Sequence, residues 1–113
     1  MPREPRAYLH DIAHAAALIS EFIAGLDYDA YQDRPMVRAA VERQFEIIGE
    51  ALRQLAATDP SMAEQVTNHR RVIAFRNILA HGYAGVDDRL VWDMAATHLG
   101  DLRRDVDRLL GAG

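Results

Sequence analysis

The sequence predicts an all-α, up-and-down bundle of four main helices and one short one, in a single domain spanning residues 1–113. Three observations predict it. Apolar residues recur at steps of three and four through nearly the whole chain, which is the period of a helix with one buried face. No segment alternates apolar and polar residues as a half-buried strand does. Proline, aspartate and glycine stand where helices of that kind start and stop.

Taken in order, Leu9, Ile12, Ala13, Ala16, Ile19 and Ile23 paint one face of a first helix, from soon after Pro5 to near Gly25. Asp27 to Asp33, with Tyr28 and Tyr31 inside it, reads as a polar connection or a single turn. Asp33 is the expected N-cap of the second helix, and Pro35 suits its first turn. Val37, Val41, Phe45, Ile48, Leu52 and Leu55 then form a sustained seam to about Ala57. Gly49 interrupts this helix at a cost of about 1 kcal/mol against alanine. Close approach by another helix is the usual reason for such a residue. Asp59 should cap a short helix from Pro60 to about Val66. The next helix carries Val72, Phe75 and Leu79 and should end at Gly82. Asp87 or Asp88 caps the last, whose expected seam is Val91, Ala95, His98, Leu102, Val106 and Leu109.

Composition narrows the chemistry. With 50% hydrophobic and 27% charged residues the 113-residue chain is globular rather than disordered. A net charge of −4 excludes a generally basic nucleic-acid coat, though not a local basic patch. All 13 basic residues are arginine, so a Schiff-base lysine and a Walker-type phosphate loop drop out together. The absence of cysteine removes disulfides, thiol nucleophiles and thiolate metal sites. The N-terminus lacks the apolar stretch of a signal peptide, and the longest wholly apolar run, Ala15 to Ile19, is too short to span a bilayer. A small soluble protein of a reducing cytoplasm is the expectation.

Five histidines invite a metal argument. His10 and His14 share a helical face, but no third ligand has recognisable spacing, and solvent-exposed polarity is the simpler reading. His69 has no suggested partner, and His98 falls on the apolar seam. No metal site is expected. His81 differs by its company, in the segment Arg76-Asn77-Ile78-Leu79-Ala80-His81-Gly82-Tyr83. From the composition, about 0.6 Arg-x4-His pairs arise by chance, and about 0.02 once a tyrosine two residues later is required.

Cleaving RNA without a metal needs a group to move the 2′-hydroxyl proton and a cation to hold the phosphate as charge builds. Histidine and arginine are suited to those two tasks. Asn77, four residues before His81, could orient the ring across one turn. On a regular helix Arg76 and His81 lie about 140° apart. Either the last turn loosens at Gly82, or the pair is completed in a cleft between two subunits. The bland alternative is a solvated arginine, a histidine cap and a packed tyrosine. The residues alone leave the two readings in balance.

The segment Arg76 to Tyr83 resembles the signature of HEPN domains, and specifically of HepT-type toxins. Ala40-Val41-Glu42-Arg43-Gln44-Phe45-Glu46-Ile47-Ile48-Gly49-Glu50-Ala51 resembles the family's second long helix, and Tyr8-Leu9-His10-Asp11-Ile12 its opening helix. The resemblance covers essentially the whole chain. It implies a metal-independent RNA endonuclease with no cofactor, acting as the toxin of a type VII-like toxin–antitoxin pair. Arg76 and His81 would be its catalytic pair and Asn77 a supporting residue. The implied partner is an MntA-like nucleotidyltransferase that silences the toxin by adding AMP to Tyr83. The implied assembly is a homodimer with both motifs in one cleft, acting on tRNA or mRNA rather than DNA, away from membranes. Arg70 and Arg71 are candidate phosphate contacts. Arg103, Arg104 and Arg108 read as a solvated face, and Glu42, Glu46 and Glu50 as a salt-bridged stripe. The alternative is a HEPN domain without nuclease activity that docks on a nucleotidyltransferase as a helical binding module.

Overall fold

A computed structural model describes residues 3–81 and 85–111. Every regular element among them is helical: α1 (Pro5–Ile23), α2 (Tyr28–Gln32), α3 (Pro35–Thr58), α4 (Pro60–Glu64), α5 (His69–His81), α6 (Asp88–Asp93) and α7 (Leu99–Gly111). A π-helical turn, Met94–His98, joins α6 to α7 without a break, so these three segments act as one long final helix. The four main helices are therefore α1, α3, α5 and α6–α7. The short helices number two, because the connection at Tyr28–Gln32 closes a turn capped by the Asp27 carboxylate on the Ala30 N–H.

Helix α3 lies between α1 and α5, and α1 is flanked on its other side by α7. The seam residues supply the core: Leu9, Ile12, Ala16 and Ile19 of α1 and Val41, Phe45, Ile48, Leu52 and Leu55 of α3 are all buried. Phe45 meets Phe75 edge-on, with ring centroids 5.3 Å apart, and so ties α3 to α5. Tyr31 packs on Trp92 at 5.3 Å, tying α2 to α6. Among the described residues no helix is long and apolar enough to cross a membrane.

The structure revises three expectations. Asp33 does not cap α3; Arg34 holds the cap position with a non-helical backbone and no side-chain cap bond. Pro35 fills the first helical position, and the residue before a proline is driven out of the helical region, so the cap falls on Arg34. Asp33 instead closes α2, its N–H reaching the Asp29 carbonyl. Second, α4 stops at Glu64 rather than Val66, and the chain turns into α5 through Asn68, whose φ of +60° is a conformation asparagine tolerates better than most residues.

Third, the final seam runs through Leu99 rather than His98, which is only partly buried. The buried steps Val91 to Ala95 to Leu99 are both four residues, longer on average than an α-helical turn. The π-helical turn absorbs that excess. Asp59 and Asp87 do cap as the sequence predicts, accepting from the backbone N–H groups of Met62 and of Arg89 and Leu90. Gly82, the expected end of α5, lies outside the described residues.

Candidate active site

The site begins with a glycine. Where α3 and α5 cross, a Cβ added at Gly49 would stand 2.1 Å from the Cβ of Arg76 and 2.7 Å from its Cγ. No side chain fits in that space. The absence of one at residue 49 lets the two helices close, and it sets the root of the Arg76 side chain against the α3 backbone. The close approach suspected from the sequence thus has a defined partner.

From that root the Arg76 guanidinium, partly exposed, is held on two sides. Its Nη2 lies 3.5 Å from Glu50 Oε1, and its Nη1 donates to Asn77 Oδ1 at 3.2 Å. Glu50 is itself clamped from its own helix. Arg53 donates to both carboxylate oxygens, from Nε at 2.9 Å and Nη2 at 2.7 Å, and Gln54 Nε2 donates at 2.9 Å. The Arg53 hydrogen bonds do most to hold the Glu50 carboxyl down to about 2. Partial burial opposes them, while Gln54 and the charges of Arg53 and Arg76 add to them. Glu50 is therefore an anion throughout the range in which enzymes work.

Arg76 and Glu50 open onto a groove of about 230 Å³ between α1, α3 and α5. Polar groups dominate its walls, among them Arg43, Glu46, Gln54 and Asp11. Arg43 pairs with Glu46 at 3.5 Å, and Arg3 bridges to Asp11. The groove floor includes Tyr8, whose hydroxyl accepts from the Arg3 N–H at 3.0 Å. Glu46 and Glu50 of the acidic stripe are thus salt-bridged, and Glu50 reaches across to a second helix. Glu42 is different: burial, with the Asp88 charge behind it, pushes its carboxyl up.

His81 is the last residue of α5 and is exposed. The helix stays regular from His69 to His81, so the loosened turn that would swing Arg76 and His81 together does not occur before His81. At about 100° per residue the two remain about 140° apart. In one chain, then, Arg76 lies against α3 while His81 stands in solvent. Asn77 is exposed, and its amide oxygen is taken by Arg76 rather than directed at the His81 ring. Tyr83 lies outside the described residues. Ile78, between Arg76 and His81 on α5, has half its surface exposed.

The remaining candidates separate cleanly. Arg70 and Arg71 are exposed at the start of α5 and enter no ion pair among the described residues. The second arginine group is occupied: Arg103 donates to Ser20, Arg104 pairs with Asp101 and Arg108 with Asp105. His10 and His14 face solvent on α1. No three histidine, aspartate or glutamate side chains gather into a metal-ligating group among the described residues. The residue missed as a functional candidate is Glu50. A glycine followed directly by an acid in a long helical seam was the available signal, since the helix admitted by the glycine must pass beside the acid.

Comparison with known proteins places these residues in context. The sequence model of one family, Ribonuclease HepT-like, matches residues 12–109. A protein of Methanocaldococcus jannaschii provisionally named an RNase is 33% identical over 107 residues, covering 93% of this chain and 95% of its own length. A Thermococcus cleftensis protein named probable ribonuclease HepT is 30% identical over 109 residues, covering 96% of this chain and 98% of its own. A provisionally named RNase of Caldanaerobacter subterraneus subsp. tengcongensis is 27% identical over 108 residues, covering 96% of both. No solved structure matches the chain.

Proposed function

The chain belongs to the HepT-like ribonuclease family, and we propose that it is a metal-independent RNA endonuclease whose reacting groups are Arg76 and His81. The observation that carries this reading is Arg76 seated at the Gly49 crossing, a partly exposed cation beside a polar groove, with an exposed His81 at the end of the same helix. In the reaction the RNA 2′-oxygen attacks the adjacent phosphorus and the bond to the 5′-oxygen breaks. His81 takes the 2′-hydroxyl proton, and a proton is returned to the departing 5′-oxygen. Arg76 holds the phosphate oxygens as negative charge builds on them. Arg70 and Arg71, exposed on the same helix, meet neighbouring phosphates.

Because the two side chains diverge around α5, the reading needs two copies of the chain, with the motifs of both facing one cleft. The biological role that goes with it is that of a cytoplasmic toxin acting on tRNA or mRNA. It is silenced when an MntA-like nucleotidyltransferase adds AMP to Tyr83. A bulky anion two residues from His81 would exclude RNA by occupancy and by like-charge repulsion.

The test is intact mass of the chain purified alone and after co-expression with a nucleotidyltransferase encoded beside it, each sample assayed on total tRNA. Added AMP mapping to Tyr83, with cleavage only by the unmodified chain, is the expected result. A chain that gains no mass and cuts no RNA, yet binds the nucleotidyltransferase, would instead be a helical binding module.

A further inference from the structure

We infer that Glu50 is a positioning residue for Arg76, acting through its carboxylate to hold the guanidinium at a fixed place and angle beside the groove. The inference rests on the reading that Arg76 bears on phosphate, and it assigns that site an anion that the chain itself supplies.

An arginine rooted on a helix has several rotatable bonds, and on its own its charge would sweep a wide arc. At the crossing of α3 and α5 the root is set by Gly49, and the tip by an ion pair with Glu50 on one terminal nitrogen and a hydrogen bond to Asn77 from the other. Glu50 can serve as an anchor because it does not swing either. Arg53 and Gln54, three and four residues further along α3, hold both of its oxygens.

The charges also balance in favour of binding. Arg53 and Arg76 contribute +1 each and Glu50 −1, leaving +1, so the anchor does not neutralise the site. Guanidinium carries five N–H donors; one is given to Asn77 and the Glu50 contact is an ion pair at 3.5 Å, so four remain for phosphate oxygens. A pre-aimed cation is the kind of group that stabilises a transition state without first having to reorganise.

This arrangement has an unusual consequence. Replacing the carboxylate removes an internal competitor for Arg76 and raises the local charge, so RNA should bind at least as tightly as before. Turnover should fall, because the freed guanidinium no longer waits where charge develops. Loss of a positioning contact near the reacting phosphate is expected to lower kcat by about tenfold to a hundredfold. A merely structural defect would weaken binding and turnover together.

The experiment compares wild type, Arg76→Ala, Glu50→Gln and Glu50→Asp, each as the full chain. It measures kcat and KM on a short RNA and the ¹⁵N resonance and relaxation of the Arg76 side-chain Nε–H. The expected result is a lower kcat with an unchanged or lower KM in Glu50→Gln and partial recovery in Glu50→Asp. The Arg76 Nε–H should be ordered in wild type and mobile in Glu50→Gln. Wild-type kcat and KM in Glu50→Gln, in a protein that Arg76→Ala inactivates, would overturn the inference and leave the nuclease reading standing. A raised KM with no recovery in Glu50→Asp would overturn it too, in favour of a structural role. If wild type cuts no RNA, the nuclease reading fails, and the Arg76 resonance alone decides: equal mobility in wild type and Glu50→Gln overturns the anchoring.

Discussion

Gly49 and Gly100 both interrupt helices, yet the same substitution should act on them in opposite directions. At Gly100 an added methyl meets nothing within 4 Å, and the position is exposed. Gly100→Ala should therefore raise stability by about 0.5–1 kcal/mol, the ordinary helix-propensity gain. At Gly49 the methyl would collide with the Cβ of Arg76, an atom that no side-chain rotation can move. Overpacking of this kind costs about 1–3 kcal/mol and should outweigh the propensity gain. Urea unfolding of the two variants checks both signs; a Gly49→Ala protein as stable as wild type would refute the tight crossing. The crossing shows what a sequence can and cannot tell at this scale. A glycine inside a long apolar seam announces that something comes close. It carries no information on which residue of which helix arrives, and so Arg76 was found by its motif and not by its neighbour. Asn77 is the converse case, because four-residue spacing pointed its amide at His81 while the structure gives its oxygen to the adjacent Arg76.

At the scale of elements, the signals that worked were those written in consecutive residues. Asp59 and Asp87 precede their helices directly and cap them with side-chain oxygens. Asp59→Ala and Asp87→Ala should each lose about 1 kcal/mol in thermal or urea unfolding. Asp33→Ala should change stability by less than about 0.5 kcal/mol, since Asp33 is exposed and makes no side-chain cap bond. An equal loss at all three positions would contradict the cap assignment. The π-helical turn was not legible for a related reason. Between Val91 and Leu102 the steps run four, three, four through His98 and four, four, three through Leu99, and either set fits one helical face. Only packing against the bundle decides between them, and burial of leucine in place of histidine favours the second. The order and approximate bounds of the main helices needed no such information, because each carries a continuous apolar face that the others bury.

For the whole molecule, the net charge of −4 is distributed unevenly. The arginines of α7 are spent on Asp101, Asp105 and Ser20, while those of α5 face solvent or the groove. Helix α5 therefore presents cations to solvent and to the groove in a chain that is acidic overall. The same helix exposes Ile78 beside a recess of about 130 Å³ lined by Ala74, Phe75, Leu90 and Met94. The proposed pairing of two chains through this region would cover apolar surface and gather both copies of the motif. Ile78→Asp should then abolish self-association in analytical ultracentrifugation and reduce cleavage, with the helical circular dichroism retained. An Ile78→Asp protein that sediments and cuts RNA as wild type does would direct attention to another face. Family membership was readable from two motifs in the right order, and the fold followed from periodicity. How one helix could serve two diverging side chains was left open by the residues themselves, because the roughly 140° between Arg76 and His81 is compatible with a loosened last turn or with a second chain.

The most direct test of the central claim is cleavage of total tRNA in the presence of a chelator by purified wild type and by Arg76→Ala and His81→Ala, each checked for unchanged circular dichroism. Wild type should cut the RNA and leave 2′,3′-cyclic phosphate ends, and both variants should fall at least about a hundredfold in rate. Undiminished, chelator-resistant cleavage by His81→Ala would contradict the assignment.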